Sequence, residues 1–137
     1  MSRRFEMQYE IHPEMLEAQY QHLHHADVLR VLEQARVQFL ADLGLPQEEL
    51  LEKDCFLVLA KSEIQFFREI KAGSLRCRVK LLAFQGESGF SVEQEIFKFP
   101  KRLAVRASFE LVAMSGATRR RRPLPEELRT LLNGIED

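Results

Sequence analysis

Three imidazoles, His22, His24 and His25, stand immediately before the run Ala26-Asp27-Val28-Leu29-Arg30-Val31-Leu32-Glu33. That run repeats apolar residues with the period of a helix, so the histidines sit at a helix entrance. A free imidazole changes charge at about pH 6.5, close to neutrality. The first N–H groups of a helix have no partner within it. Together these groups suit a carbonyl oxygen or an anion. Gln21, His22, His24, Ala26 and Asp27 are expected to surround such a ligand, with His25 moving a proton. No metal site is expected: the imidazoles are tightly spaced, and no Asp or Cys stands at a matching place.

The elements that must hold these residues are legible from period alone. In residues 4–11, Phe5, Met7, Tyr9 and Ile11 alternate with Arg4, Glu6, Gln8 and Glu10, the pattern of a half-buried strand. Residues 12–25 are polar and irregular, with Pro13 as a breaker. A helix is predicted from Ala26 to Leu43, with Val28, Val31, Leu32, Ala35, Phe39 and Leu43 as its apolar stripe. Leu29, Val37 and Leu40 broaden that stripe. Gly44 is the predicted C′ residue and Pro46 stops the helix. A short acidic helical turn is predicted in residues 47–55.

Four strands are predicted next: Val58–Ile70, Leu75–Phe84, Phe90–Phe97 and Leu103–Leu111. They are separated by turns at Lys71-Ala72-Gly73-Ser74, Gln85–Gly89 and Phe99-Pro100-Lys101. A terminal helix is predicted over Glu126–Leu132, after Pro125. The expected architecture is α+β: a curved antiparallel sheet of about five strands, in meander style, wrapped around one long central helix. An exposed edge strand makes edge-to-edge dimerisation the natural remedy.

Composition excludes several classes. The chain has 137 residues, 45% hydrophobic and 30% charged, which predicts a single domain spanning 1–137. Twenty basic residues against 21 acidic give a formal charge of -1, so neither nucleic acid nor membrane is an expected partner. Cys55 and Cys77 form no C-x-x-C pair. They are expected to be free thiols in a cytoplasmic protein. Met1-Ser2-Arg3-Arg4 leads into no apolar run, so no signal peptide is expected.

The helix entrance resembles a motif of the hotdog-fold acyl-CoA thioesterases, in the 4-hydroxybenzoyl-CoA thioesterase-like branch. There the entrance often reads G-H-V-N-N-A-x-Y-L-x-Y-L-E-x-A-R. The matching residues here are His22, Leu23, Ala26, Leu29, Leu32, Glu33, Ala35 and Arg36. Phe39-Leu40, Leu43-Gly44-Leu45, Ser62-Glu63-Ile64-Gln65-Phe66, Ala72-Gly73-Ser74 and Arg122-Pro123-Leu124-Pro125-Glu126-Glu127-Leu128 also resemble the family. Taken in order, these pieces cover nearly the whole chain. The resemblance implies a hotdog fold and hydrolysis of an acyl thioester.

The departures bear on mechanism. The branch carries D-x-D-x-x-G before the histidine, and the second Asp is its usual catalytic carboxylate. Leu16 and Ala18 occupy those two positions, and Gln21 stands in place of the Gly. A sister subgroup has a histidine seven residues after the catalytic Asp, and His25 sits seven after Ala18. The chemistry then falls to His25 itself, to Glu17 beside the vacant position, or to Glu33. Leu32-Glu33-Gln34-Ala35 loosely resembles the L-x-D-x-A setting of phenylacetate-pathway thioesterases; alternatively, Glu33 pairs with Arg36 at i+3. The amides from His25 to Asp27 are expected to hold the carbonyl oxygen.

The run Arg119, Arg120, Arg121, Arg122 reads first as a solvated tail linker and second as a candidate for the coenzyme A phosphates. Lys61, Arg68 and Arg102 are further candidates. The implied substrate is an acyl-CoA or an acyl-carrier protein, no further cofactor is expected, and the implied assembly is a homodimer or homotetramer. A binding protein of the same fold that has lost hydrolytic activity is the rival, supported by Ala18. A dehydratase of this fold fits less well, because the C-terminal pattern is of the 4-hydroxybenzoyl type.

Overall fold

Alternation of apolar and polar side chains along Phe5–Ile11 builds the first strand, β1, in a computed structural model that describes residues 5–99 and 101–134. Arg4 and Pro100, which belong to the predicted first strand and third turn, lie outside the described residues. The longest helix, α1, runs from His25 to Asp42 and buries Val28, Val31, Leu32, Ala35, Phe39 and Leu40. Full burial of each large side chain stabilises the fold by about 1.5–3 kcal/mol. Gly44 stops the helix in the left-handed region, at φ +96°. A second helix, α2, covers Gln47–Glu52.

Four longer strands follow: β2 Phe56–Phe66, β3 Gly73–Gln85, β4 Gly89–Lys98 and β5 Arg102–Met114. A short helix, α3, spans Glu126–Asn133. The five strands form one antiparallel sheet in the order β1-β3-β4-β5-β2. The predicted meander holds for β3, β4 and β5 only. β2 pairs with β5 at the far edge, so Lys71–Ser74 ends a crossover and is not the hairpin turn implied by a meander. β2 also stops at Phe66, short of the predicted Ile70. Its continuation bends away, with the N–H groups of Phe67 and Arg68 both donating to the Ala104 carbonyl.

One face of the sheet packs on α1. It carries Leu75, Cys77 and Val79 of β3, Phe90, Val92, Gln94 and Ile96 of β4, and Val105, Ala107 and Phe109 of β5, all buried. Both cysteines are free and buried. A register shift between Leu81 and Ala83 breaks the predicted β3 alternation and sets Phe84, instead of Ala83, opposite core residue Phe90. The other face is a ladder of charge. Glu6, Arg78, Glu95 and Arg106 lie in one row across four strands, joined at 2.8, 3.7 and 3.0 Å.

Two predicted core residues of α1 are not covered. Leu29 is 39% exposed and Val37 37%. Val37 lines a hollow with Leu59 of edge strand β2, where Leu59 is 47% exposed and Phe66 52%. No described helix is long and apolar enough to cross a membrane.

Candidate active site

The chain reaches α1 through a closed loop. Gln21 N–H donates to the Glu17 carbonyl at 2.9 Å, and Glu17 N–H donates to the His22 carbonyl at 2.8 Å. Gln21 lies at φ +57°, a cost that the closure offsets. The Glu17 carboxylate accepts from the N–H of Gln19 at 3.1 Å and of Tyr20 at 3.0 Å. Both oxygens therefore shape their own loop, and Glu17 lines none of the cavities described here. The Gln21 amide donates to the Ala18 carbonyl at 2.8 Å, also inside the loop.

His24 is the N-cap of α1. Its Nδ1 accepts from the Ala26 N–H at 3.1 Å, and its carbonyl accepts from Asp27 and Val28. Of the amides expected to hold a carbonyl oxygen, those of Ala26 and Asp27 are thus engaged. The His25 N–H has no partner among the described residues, and it lies at the positive end of an 18-residue helix. The His25 ring stacks on that of His24, with centroids 4.1 Å apart. Asp27 turns the other way, toward Arg30 at 3.9 Å, and lines a separate hollow beneath β1.

A cavity of about 320 Å³ opens beside this helix start. His22, Leu23, His25 and Val28 form one wall; the segment Phe66–Ile70 leaving β2, together with Val105, forms the other. Leu23 N–H donates to the Ile70 carbonyl at 2.7 Å and ties the two walls together. The His22 Nδ1 is buried and has no hydrogen-bond partner among the described residues. The nearest carboxylate oxygen is Glu69 Oε2, 3.9 Å away. Arg68 also lines the cavity and donates to the Leu103 carbonyl at 2.6 Å. The aromatics Phe66 and Phe67 and the charged Arg68 and Glu69 were not foreseen as neighbours of the histidines; the crossover after β2 brings them there. By sequence alone Arg68 is a phosphate candidate only.

Glu33 lies elsewhere. It lines a hollow of about 310 Å³ between α1 and β2, with Arg36, Val37, Leu40, Leu57 and Leu59 among its walls. It is eight residues beyond His25, roughly 12 Å along the helix, and shares no cavity with it. Arg36 reaches inward instead of closing on Glu33. Its guanidinium donates to Gln94 Oε1 at 3.1 Å and sits 4.3 Å from the Phe109 ring centre. Burial lowers the Arg36 pKa, and the charge of Glu33 opposes that shift.

The arginine run follows β5 at the other end of β2. Arg122 is a structural tie, donating to the carbonyls of Lys53 at 2.6 Å, Asp54 at 3.3 Å and Pro123 at 2.8 Å. Arg119, Arg120 and Arg121 are exposed. Arg121 bridges Met114, which pairs with Phe56. Ten residues of strand, about 33 Å, separate Phe56 from Phe66 at the cavity. Within one protomer the run and the cavity do not meet. Lys61 is engaged on the charged face, 3.5 Å from Glu63 and 4.0 Å from Glu110.

A family model described as the thioesterase-like superfamily matches residues 16–132. The chain belongs to that superfamily. Its hotdog fold is shared by a 1,4-dihydroxy-2-naphthoyl-CoA thioesterase from Synechocystis, with a TM-score of 0.86 at 18% identity over 98% of each chain. A hypothetical protein from Staphylococcus aureus solved in complex with CoA superposes with a TM-score of 0.89 at 15% identity, over 100% of this chain and 89% of that one. A 12:0-ACP thioesterase from Umbellularia californica gives 0.81 at 15% identity, over 98% of this chain and 54% of that one. No curated protein matches the sequence.

Here the loop position that resembles the usual Asp is held by Ala18, which is exposed and offers only its carbonyl to Gln21. Among the described residues, no three His, Cys, Asp or Glu side chains are grouped to hold a metal ion.

Proposed function

We propose that this protein hydrolyses an acyl thioester, carried by coenzyme A or by an acyl-carrier protein, in the cavity at the start of α1. The observation that carries the reading is that His25, whose N–H is unengaged among the described residues at a helix N-terminus, lines a cavity together with His22. The thioester oxygen accepts from that N–H, so the charge developing on it meets the positive end of the helix. An imidazole of the cavity activates water. Phe66, Phe67 and Val28 supply the apolar wall for the acyl group. The reading is of one cytoplasmic domain spanning residues 1–137, which needs no cofactor beyond the thiol carrier of its substrate.

The working form in this reading is a homodimer or a tetramer built from it. An edge strand with exposed Val58, Leu59 and Phe66, beside exposed Val37, suits pairing with a second copy. Antiparallel pairing of two β2 strands about their midpoint sets the Phe56 end of one copy against the Phe66 end of the other. Arg119, Arg120 and Arg121 of the partner subunit then flank the cavity mouth, where planar guanidinium groups suit the phosphates of coenzyme A. Reversing these three charges is expected to raise KM for acyl-CoA several-fold and to leave KM for an acyl-pantetheine unchanged.

The test is release of free thiol from short, aromatic and long-chain acyl-CoAs and from acyl-carrier proteins, with wild type and His25→Ala. Hydrolysis that collapses in the variant supports the reading. The rival is a non-catalytic acyl-thioester binding protein, favoured by Ala18 and by the occupied Glu17 carboxylate. Saturable binding of an acyl thioester with no thiol released from any substrate identifies that rival.

A further inference from the structure

We propose that Glu69 is the carboxylate that positions His22 as the general base of this cavity, an inference that rests on the hydrolytic reading above. Glu69 is the only carboxylate among the described residues that line the cavity. The other candidates are committed: Glu17 to the amides of its loop, Asp27 to Arg30, and Glu33 to a hollow two turns along α1. His22 Nδ1 is the buried polar atom of the cavity left without a hydrogen bond among the described residues. Glu69 Oε2 faces it at 3.9 Å, about 1 Å beyond hydrogen-bond length.

The approach is held by the backbone. Leu23 and Ile70 are 3% and 2% exposed and are joined by their 2.7 Å hydrogen bond, so the residues preceding them, His22 and Glu69, are held side by side. The Glu69 side chain is itself 53% exposed. Lys71 lies 3.5 Å from its other oxygen, Oε1, which leaves Oε2 for the imidazole. The remaining polar and charged neighbours are Arg68, which is turned to the Leu103 carbonyl, the ring of Tyr20 at 5.8 Å and His25 on the same wall of the cavity. None of these supplies a carboxylate.

When Nδ1–H donates to Glu69, Nε2 keeps the ring's free lone pair and is the atom able to accept a proton. His22 Nε2 then takes a proton from water as the water oxygen bonds to the thioester carbonyl carbon. The carbon–sulfur bond breaks, and the same proton passes to the leaving sulfur. The products are a carboxylic acid and a free thiol. Glu69 stays ionised throughout and orients the ring.

Steady-state kinetics on the full chain tests the pair. His22→Ala is expected to lose roughly 100-fold or more in kcat. Glu69→Ala is expected to lower kcat about tenfold or more with KM unchanged, while its unfolding midpoint stays at the wild-type value because the side chain is exposed. Imidazole 15N NMR supplies a readout independent of activity: wild-type His22 carries its proton on Nδ1, and Glu69→Ala shifts it to Nε2. An active wild type whose His22→Ala variant keeps full kcat, or wild-type His22 protonated on Nε2, overturns the dyad. A wild type inactive on every thioester sinks the hydrolytic reading instead, and the tautomer still decides whether Glu69 orients His22.

Discussion

The N–H of Leu23 and the carbonyl of Ile70 meet at 2.7 Å, and this bond joins the histidine loop to the segment leaving β2. Both side chains are buried, so the junction is packed as well as hydrogen-bonded. Ile70→Ala removes the packing and leaves the bond. The expected cost is about 2–4 kcal/mol of stability, read from chemical denaturation. A fall in kcat larger than that seen for a comparably destabilised variant remote from the cavity, such as Leu132→Ala, is also expected.

Gln94 is fully buried and bridges two layers, donating to the Leu32 carbonyl of α1 at 2.9 Å and accepting from Arg36 at 3.1 Å. Gln94→Leu preserves the volume but leaves a partly buried guanidinium without its acceptor. A loss of about 1–3 kcal/mol is expected, measured by denaturant unfolding; no loss would show that Arg36 finds water or Glu33 instead.

Asp54 clamps the loop that carries the arginine run. Its carboxylate accepts from the Ser115 hydroxyl and from the N–H groups of Gly116 at 2.9 Å and Ala117 at 3.2 Å. The Ser115 bond is the largest cause holding the Asp54 pKa below the ordinary carboxylate value; the two amides and Arg122 act in the same direction, against burial. A depressed pKa means that the ionised form favours folding. The contribution is complete above about pH 4, the ordinary carboxylate value, and is lost as pH falls through the lower folded value. Asp54→Asn is therefore expected to be less stable than wild type near neutrality, with the gap narrowing toward pH 3. Thermal unfolding across that range checks it, and a constant gap would contradict it.

His24 caps α1 through Nδ1. His24→Ala is expected to cost about 1 kcal/mol, and His24→Asn, which supplies a capping oxygen, to recover most of it. Unfolding midpoints of the three proteins decide the matter. An equal fall in both variants would mean that the stack on His25, not the cap, is what His24 contributes.

Much of this protein is legible locally. Period-two alternation marks β1, β3, β4 and β5, and the helical period marks α1 to within one residue of each end. The stop at Gly44 follows from backbone sterics alone. The hotdog resemblance rests on short motifs in order, and the superfamily match over residues 16–132 agrees with it. Local pattern misled where a long-range choice overrode it. Leu29 and Val37 satisfy the helical stripe yet stand open, because whether a position is covered depends on what lies opposite it. The β3 alternation fails at the Leu81/Ala83 shift for the same reason: a bulge is a property of a pair of strands.

Side-chain spacing along single segments was enough to mark the elements and most of their buried positions, and short motifs in order marked the family. The tertiary structure alone decided that β2 lies at the far edge beside β5, that the crossover behind it passes the start of α1, and that Glu69 therefore comes to rest 3.9 Å from His22. Which strands pair is set by the summed burial and hydrogen bonding of the whole sheet. A residue delivered by a crossover therefore carries no mark of its destination in its own neighbourhood of the chain.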